Sequence, residues 1–384
     1  MTDLSRLRIV LAVGQLTRGG TERQVCLLGL GLKALGAEVS VVVLHDAGSM
    51  GDALLDADIA VHHVRMGSRS AGRATSVLSL VAGSWRLRRL LDEVKPDVVH
   101  CFLPRACTVV PPIARSRRTP LVVGGRRGLE DQRPGGRVHH AAELWASRWI
   151  DLWVANCPEV AADTRAAMRA DVRPVLVVPN ALDPCFVSSS VDPIPSGSPT
   201  VVCIANLLPV KRHDLLLAAM ASPSLRRFDP ELVLVGDGPL RADILEDARR
   251  RGIRVSCTGS VDDVRPWLRR ATVVVLASDS EGVSNALMEA MATRRPIVAT
   301  AVGGNSSLLA GRGTTVPAGD VSALAAAIES VLHDPAPAAG VADAAAAWIR
   351  TQAALPVVAQ RQLDIYRAAL SHVSAAAPSM RGAA

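Results

Sequence analysis

Thr272-Val-Val-Val-Leu-Ala277 runs directly into Ser278-Asp-Ser-Glu-Gly-Val-Ser-Asn-Ala-Leu-Met-Glu-Ala-Met291. The opening is an unbroken apolar, β-prone run, and the stretch from Asn285 reads as a helix with Ser284 at its N-cap. A strand that passes into a helix through a short loop is the repeating unit of a parallel α/β sheet. Backbone N–H groups around Val283–Asn285 fall at the positive end of that helix, where an anion is stabilised, and Gly282 lets a ligand approach the main chain. Glu281 precedes the first turn, and Glu289 follows eight positions later on the second. Both carboxylates can therefore reach one ligand, and a carboxylate accepting two hydrogen bonds suits vicinal hydroxyls such as those of a ribose or hexose. The plainer reading is a helix with a surface Glu at its start and a solvated Glu within it. The strand–loop–helix context and the glycine favour a site.

The same rhythm extends in both directions. In the second half, strands are predicted over Thr200–Ala205, Glu231–Gly236, Arg254–Thr258 and Pro296–Ala299, with helices over Leu240–Arg251, Val264–Arg270, Asn285–Thr293 and Ser322–Leu332. In the first half, strands are predicted over Leu7–Val13, Val39–Leu44, Val98–Cys101, Leu121–Val123, Leu152–Ala155 and Val175–Val178. These are near-continuous apolar runs, as strands buried on both faces require. Helices are predicted between them over Glu22–Leu35, Val77–Glu93, Arg137–Trp149 and Pro158–Arg169. The Ser- and Pro-rich stretch 185–199 breaks the pattern. The expected fold is α/β: two doubly wound, Rossmann-like domains, 1–184 and 200–350, joined by the linker 185–199 and facing across a cleft. A C-terminal helix and frayed tail over 351–384 follow, the helix free to pack back on the first domain. Each sheet should carry its ligand crevice at the carboxyl ends of its strands.

Composition narrows the function classes. Of 384 residues, 49% are hydrophobic and 21% charged, which excludes collagen, coiled coil and intrinsic disorder. No apolar run reaches the roughly 18 residues of a membrane span. Asp3, Arg6 and Arg8 interrupt the N-terminal stretch where a secretion signal would be basic and then apolar. Seven cysteines without C-x-x-C spacing read as thiols of a reducing compartment, so the expected location is cytoplasmic. Residues 1–180 hold 24 Lys/Arg against 17 Asp/Glu, whereas the remainder balances at 19 each. That asymmetry points the first domain at a polyanion or the inner face of an anionic membrane, or reflects a basic proteome. Ten aromatics and no recognition motif argue against nucleic acid. Only three lysines stand beside forty arginines, and one of them is Lys211.

The E-x7-E segment resembles that of retaining glycosyltransferases with the GT-B fold, most closely glycosyltransferase family 4. Further stretches extend the resemblance over nearly the whole chain: Arg18-Gly-Gly-Thr-Glu-Arg23, Lys95-Pro-Asp-Val-Val-His100, Val178-Pro-Asn-Ala-Leu-Asp183, Ile204-Ala-Asn-Leu-Leu-Pro-Val-Lys-Arg-His213 and Val233-Leu-Val-Gly-Asp-Gly-Pro239. The resemblance implies a nucleotide-sugar donor as co-substrate, a hydroxyl acceptor, and no cofactor or metal. In that reading Glu289 holds the donor ribose, Glu281 the sugar hydroxyls near the reacting carbon, and Lys211 the leaving diphosphate, with the amides of Gly282, Val283, Ser284 and Asn285. Asn206 stands where the family commonly has Arg, and Arg212 where Gly is commoner, so Arg212 either supplies the missing cation or faces solvent. Phe102 replaces the second histidine often found two positions after His100. His100 itself orients acceptor or donor, or is a satisfied histidine at a strand end; the two readings stand level.

Other candidates are weighed on residue chemistry. Gly19 and Gly20, between the opening strand and a helix, allow amides to approach a phosphate or the acceptor. Glu22 fits an acceptor contact or simply the helix dipole. Asp56-Ala57-Asp58 is spaced like a metal-binding pair but lies away from the other motifs and reads as an acidic loop. Arg126, Arg127, Arg133 and Arg137 form a basic stretch suited to an acceptor phosphate, as in a lipid-linked acceptor, with Arg65–Arg89 against a membrane surface. Trp145 and Trp149 read as core or as interfacial anchors. Two rival functions remain on the same fold: a sugar-nucleotide epimerase or hydrolase, and a degenerate scaffold that binds a nucleotide sugar without turnover.

Overall fold

The structure is a computed structural model, and it describes residues 6–17, 19–45, 48–66, 73–129, 136–168, 173–187, 195 and 197–376. The chain divides into two compact units, Met1–Ala181 with Leu355–Ala384, and Leu182–Ala354.

The first unit is built on seven parallel strands: β1 (Arg8–Val13), β2 (Glu38–Val43), β3 (Ala60–His63), β4 (Val98–Phe102), β5 (Leu121–Arg126), β6 (Leu152–Ala155) and β7 (Val175–Val177). Their spatial order is β3-β2-β1-β4-β5-β6-β7. The order reverses direction between β1 and β4, where Ile9 stands beside both Val39 and Val98. β3 is absent from the sequence expectation because His62 and His63 break its apolar run. A helix over Leu103–Ser116 was also not expected, since it carries Pro111 and Pro112 in its interior. Its buried face of Ala106, Cys107, Val110, Ile113 and Ala114 packs on the sheet, and that burial outweighs the proline penalty. The C-terminal helix Leu355–Ala376 belongs to this unit: Val358, Leu363, Tyr366 and Leu370 join the core that β1, β2 and the helix Gly20–Ala34 form.

The second unit has six parallel strands: β8 (Thr200–Ile204), β9 (Glu231–Val235), β10 (Val255–Cys257), β11 (Val273–Leu276), β12 (Ile297–Thr300) and β13 (Thr314–Val316), ordered β10-β9-β8-β11-β12-β13. Period-two alternation sends Val201, Cys203, Leu232, Leu234, Val273 and Val275 into one helical layer. Val202, Val233, Val235, Val274 and Leu276 enter the other. Burial on both faces is why these strands read as unbroken apolar runs. Entry and exit of the unit lie side by side, with Leu182 N–H donating to Ala353 O at 2.7 Å. The stretch expected as linker opens with a helical turn at Pro184–Val187; residues 188–194 and 196 lie outside the described set.

Candidate active site

In the second sheet the strand order reverses between β8 and β11, and the loops leaving those two strands carry the charged residues expected of the site. The β8 loop is tied to the β11 loop at three points. Asp279 N–H donates to Val210 O at 2.9 Å, Arg212 Nη1 donates to Asp279 Oδ1 at 2.9 Å, and Lys211 Nζ meets Glu281 Oε1 at 2.5 Å. Ser278 Oγ donates to the same Oε1 at 2.6 Å, and Thr300 Oγ1 on β12 fixes the Ser278 carbonyl, also at 2.6 Å. A fifth of the Lys211 side chain is exposed, against 9% of Glu281, so the pair stands at the rim. Removing one partner of a pair so largely buried would leave the other charge poorly compensated. Beneath it, Cys203 is pushed up to about 12, by burial first. That thiol stays protonated and inert.

Ser284 is the N-cap of the helix Asn285–Ala292, its Oγ accepting from Leu287 N–H at 3.4 Å. Glu281, Gly282 and Ser284 are buried around this tip, and Val283 and Asn285 are half-buried. Glu289 is buried within the helix, just over one turn from its N-cap. Asn206 is exposed on the β8 loop. Arg212, the other candidate cation, is already paired. Its guanidinium is taken up by Asp214 and Asp279, which hold it charged, and Asp214 is correspondingly lowered. Its φ of +48° lies in the left-handed region, which explains why glycine suits this position. Gly236 and Gly238 of the β9 loop allow a second close approach: a Cβ on either would fall within 2.5 Å of the carbonyl oxygens of Ala205 or Leu207.

The first unit treats its strand ends differently. His100 on β4 is fully buried, its ring stacked on Phe102 at 4.0 Å between centroids. Its Nδ1 lies 2.6 Å from the hydroxyl of Tyr366 on the C-terminal helix. Burial, with Arg127 nearby, holds the imidazole well below its ordinary pKa, so it is neutral. The ring is enclosed within the first unit, and its Nε2 has no hydrogen-bond partner among the described residues. Arg126 is likewise enclosed: it is 4% exposed, 3.1 Å from the buried carboxylate of Glu143, and stacked over Trp153. It neutralises a core carboxylate rather than meeting an acceptor. Arg127 is half-buried, donates Nη1 to Asn180 Oδ1 at 2.9 Å and lies 5.5 Å from the Phe102 ring; burial lowers it to about 10. Arg133 lies outside the described residues, and of Arg137 only its helical backbone is described.

At the tip of the helix Gly20–Ala34, Glu22 folds back over the N-cap, where a Cβ on Gly19 would sit 2.1 Å from Oε2. Burial raises its carboxyl. Glu22 thus stands beside the loop where Gly19 and Gly20 are expected to admit a phosphate, and Arg18 lies outside the described residues. Asp58 faces Lys33 at 3.0 Å, an ordinary ion pair. Trp145 is not core: it is 49% exposed, edge-on to Trp149, with Arg148 over both rings.

These geometries can be set beside known proteins. The family model described as Glycosyltransferase Family 4 matches residues 18–185, and that described as Glycosyl transferases group 1 matches residues 198–334. The chain belongs to this glycosyltransferase family. The lipopolysaccharide core biosynthesis glycosyltransferase LpsE of Rhizobium meliloti is 25% identical over 82% of this chain and 86% of its own. The alpha-D-kanosaminyltransferase of Streptomyces kanamyceticus is 30% identical, over 44% of this chain and 45% of that enzyme's length. Anabaena HepE, solved with UDP, superimposes with a TM-score of 0.77 at 18% identity over 94% of this chain and all of that one. Sucrose-phosphate synthase from Thermosynechococcus elongatus gives 0.76 at 19%, over 95% of this chain and 100% of its own. The fold is GT-B, and the protein is a transferase.

Four residues of the glycosyltransferase escaped the sequence reading. Ser278 and Thr300 steady Glu281 from two strand ends, and polar residues closing apolar runs were the available signal. Tyr366 lies 266 positions from His100 and is the chain's single tyrosine, yet nothing local links the two. Asn305, fully buried in the first turn of the helix Gly304–Leu309, has neither amide atom hydrogen-bonded among the described residues. Also among the described residues, no helix is long and apolar enough to cross a membrane.

Proposed function

We propose that this glycosyltransferase moves a hexose or related sugar from a nucleotide-sugar donor to a hydroxyl acceptor, retaining the anomeric configuration and using no divalent ion. The carrying observation is the meeting of Lys211 and Glu281 across the switch point of the second sheet, beside the tip of the helix Asn285–Ala292. Breaking a sugar–diphosphate bond leaves negative charge on the departing oxygen, and fixed cations and dipoles stabilise it. Lys211 supplies the cation and the helix tip the dipole. In the unliganded chain Glu281 neutralises Lys211, so an arriving diphosphate exchanges one anion for another. The released Glu281 then takes the sugar hydroxyls, and Glu289 the ribose. The acceptor is a hydroxyl of a lipid-linked or polysaccharide precursor, with Arg127 a candidate cation for its phosphate. HepE solved with UDP and with UDP-glucose, and LpsE named for lipopolysaccharide core biosynthesis, support this reading.

The test is a thermal-shift screen of uridine, guanosine and adenosine diphosphate sugars. A donor at a hundredfold its Kd adds about 2.7 kcal/mol of apparent stability. Transfer to a hydroxyl acceptor should then proceed unchanged in EDTA, and NMR of the product should show the donor's anomeric configuration. Loss of turnover in EDTA with recovery on adding Mg²⁺ would refute the metal-free step. Free sugar or an epimer from donor alone would favour the hydrolase or epimerase. Donor binding without turnover, indifferent to Glu281→Gln and Lys211→Ala, would favour the scaffold.

A further inference from the structure

The helix Arg73–Val94 presents an unusual outer face. Its inner face, Gly83, Leu87, Leu90 and Leu91, is buried. That side is fixed closely, since a Cβ on Gly83 would lie 2.3 Å from the Met66 side chain, and Arg86 Nη1 donates to Val64 O at 3.0 Å. On the opposite face Leu78, Val81 and Trp85 follow one another at i, i+3 and i+7, and they are 69%, 64% and 61% exposed. A surface helix ordinarily turns polar residues outward. One turn further on, Arg88 and Arg89 extend the stripe, and with Trp85, Asp92, Glu93 and Arg117 they line an open groove. Arg89 and Arg117 pair with Glu93 and Asp92, whereas Arg88 has no ion-pair partner among the described residues.

This stripe is part of a larger surface. The connections β3 to β4, β4 to β5 and β5 to β6 all step the same way along the sheet. Right-handed crossovers therefore set their helices, Arg73–Val94, Leu103–Ser116 and Gly136–Ala146, on one face. The half-exposed Trp145 and the Arg148 stacked upon it belong to that layer, which Arg115 joins through Trp149 O at 3.3 Å.

We propose that this helical layer is a docking surface for an anionic lipid bilayer. Leu78, Val81 and Trp85 enter the boundary between headgroups and acyl chains, and Arg88, Arg89 and Arg148 take headgroup phosphates. Charge complementarity selects this occupant: on this layer Arg88, Arg89, Arg117 and Arg148 outnumber Asp92 and Glu93, and the whole excess of positive charge in the sequence lies in residues 1–180. The proposal deepens the reading of a lipid-linked acceptor and rests on it for its purpose.

Flotation with vesicles of phosphatidylcholine containing about a third phosphatidylglycerol, against phosphatidylcholine alone, tests it. Wild type should bind the anionic vesicles at low salt and release as salt screens the arginines. The exposed triple variant Leu78→Ser/Val81→Ser/Trp85→Ser should lose at least about tenfold in partitioning, and Arg88→Glu about fivefold or more, with melting unchanged. Brominated acyl chains should quench tryptophan fluorescence in wild type and much less in Trp85→Phe. Full binding by the triple variant, equal binding to neutral vesicles, or a concentration-dependent dimer abolished by the triple variant would each overturn the surface. The two readings fail separately. Lys211→Ala should still float, whereas the triple variant should keep its thermal shift with UDP.

Discussion

The strand ends of the two units solve the same problem in opposite ways. In the second unit, Lys211 and Glu281 meet at a partly open rim, held by hydroxyls that leave the charges in place to be exchanged. In the first, Arg126 and Glu143 are sealed together, and His100 is closed in by Phe102 and by Tyr366 of the C-terminal helix. Charges at a partly open rim can be exchanged for those of a ligand and so remain usable. Charges in a core are costly to separate and serve architecture.

Arg126→Met tests the sealed side and should have the largest effect. It strands Glu143 without its counter-charge at a site 2% exposed, and should cost about 3–5 kcal/mol in urea unfolding. Burial already raises the Glu143 carboxyl, so protonation should relieve part of that loss at acid pH. A double variant, Arg126→Met/Glu143→Leu, should recover most of it. Lys211→Ala tests the open side. Turnover should fall by about 10²–10³-fold, as for removal of one oxyanion-stabilising donor, and urea unfolding should show a smaller loss of stability than Arg126→Met, because the charge left on Glu281 lies nearer to solvent. Wild-type turnover in that variant would take Lys211 out of the chemistry.

His213 refines the comparison, since it lies beside the rim yet is buried. Its pKa falls to about 4, first through burial and then through Lys211. The unfolded chain protonates it near its ordinary value of about 6.5 and the folded chain does not, so stability is unaffected above that pH and falls below it. Between pH 6.5 and 5 this group should account for roughly 2 kcal/mol of lost stability. In His213→Asn that share should disappear, as unfolding at pH 7 and at pH 5 will show. The smallest effect is expected at Tyr366→Phe, about 1 kcal/mol, from the lost hydroxyl on His100 Nδ1. If His100 is a positioning residue, the variant should alter KM for the acceptor more than kcat, and Tyr366→Phe with unchanged kinetics and unchanged stability would dismiss the contact.

Much of this molecule was legible in its residues alone. Parallel strands buried on both faces must be apolar throughout, so β1, β4, β8 and β11 announce themselves, and Ser284 and Gly282 mark where a helix begins. Lys211 and Glu281 could be named because each lies just beyond such a strand, and their neighbourhood follows from strand order. What tertiary structure alone decided was which polar residues stay open to a ligand. Arg126 and Arg127 are adjacent in sequence, yet one is locked on Glu143 and the other reaches Asn180. Arg212 looks like a spare cation until two carboxylates fold around it. His100 is closed by a helix that begins 255 residues later. Local pattern records the periodicity of burial, which each segment satisfies for itself. Exposure and charge pairing depend on what the rest of the chain brings alongside, and no window of sequence contains that.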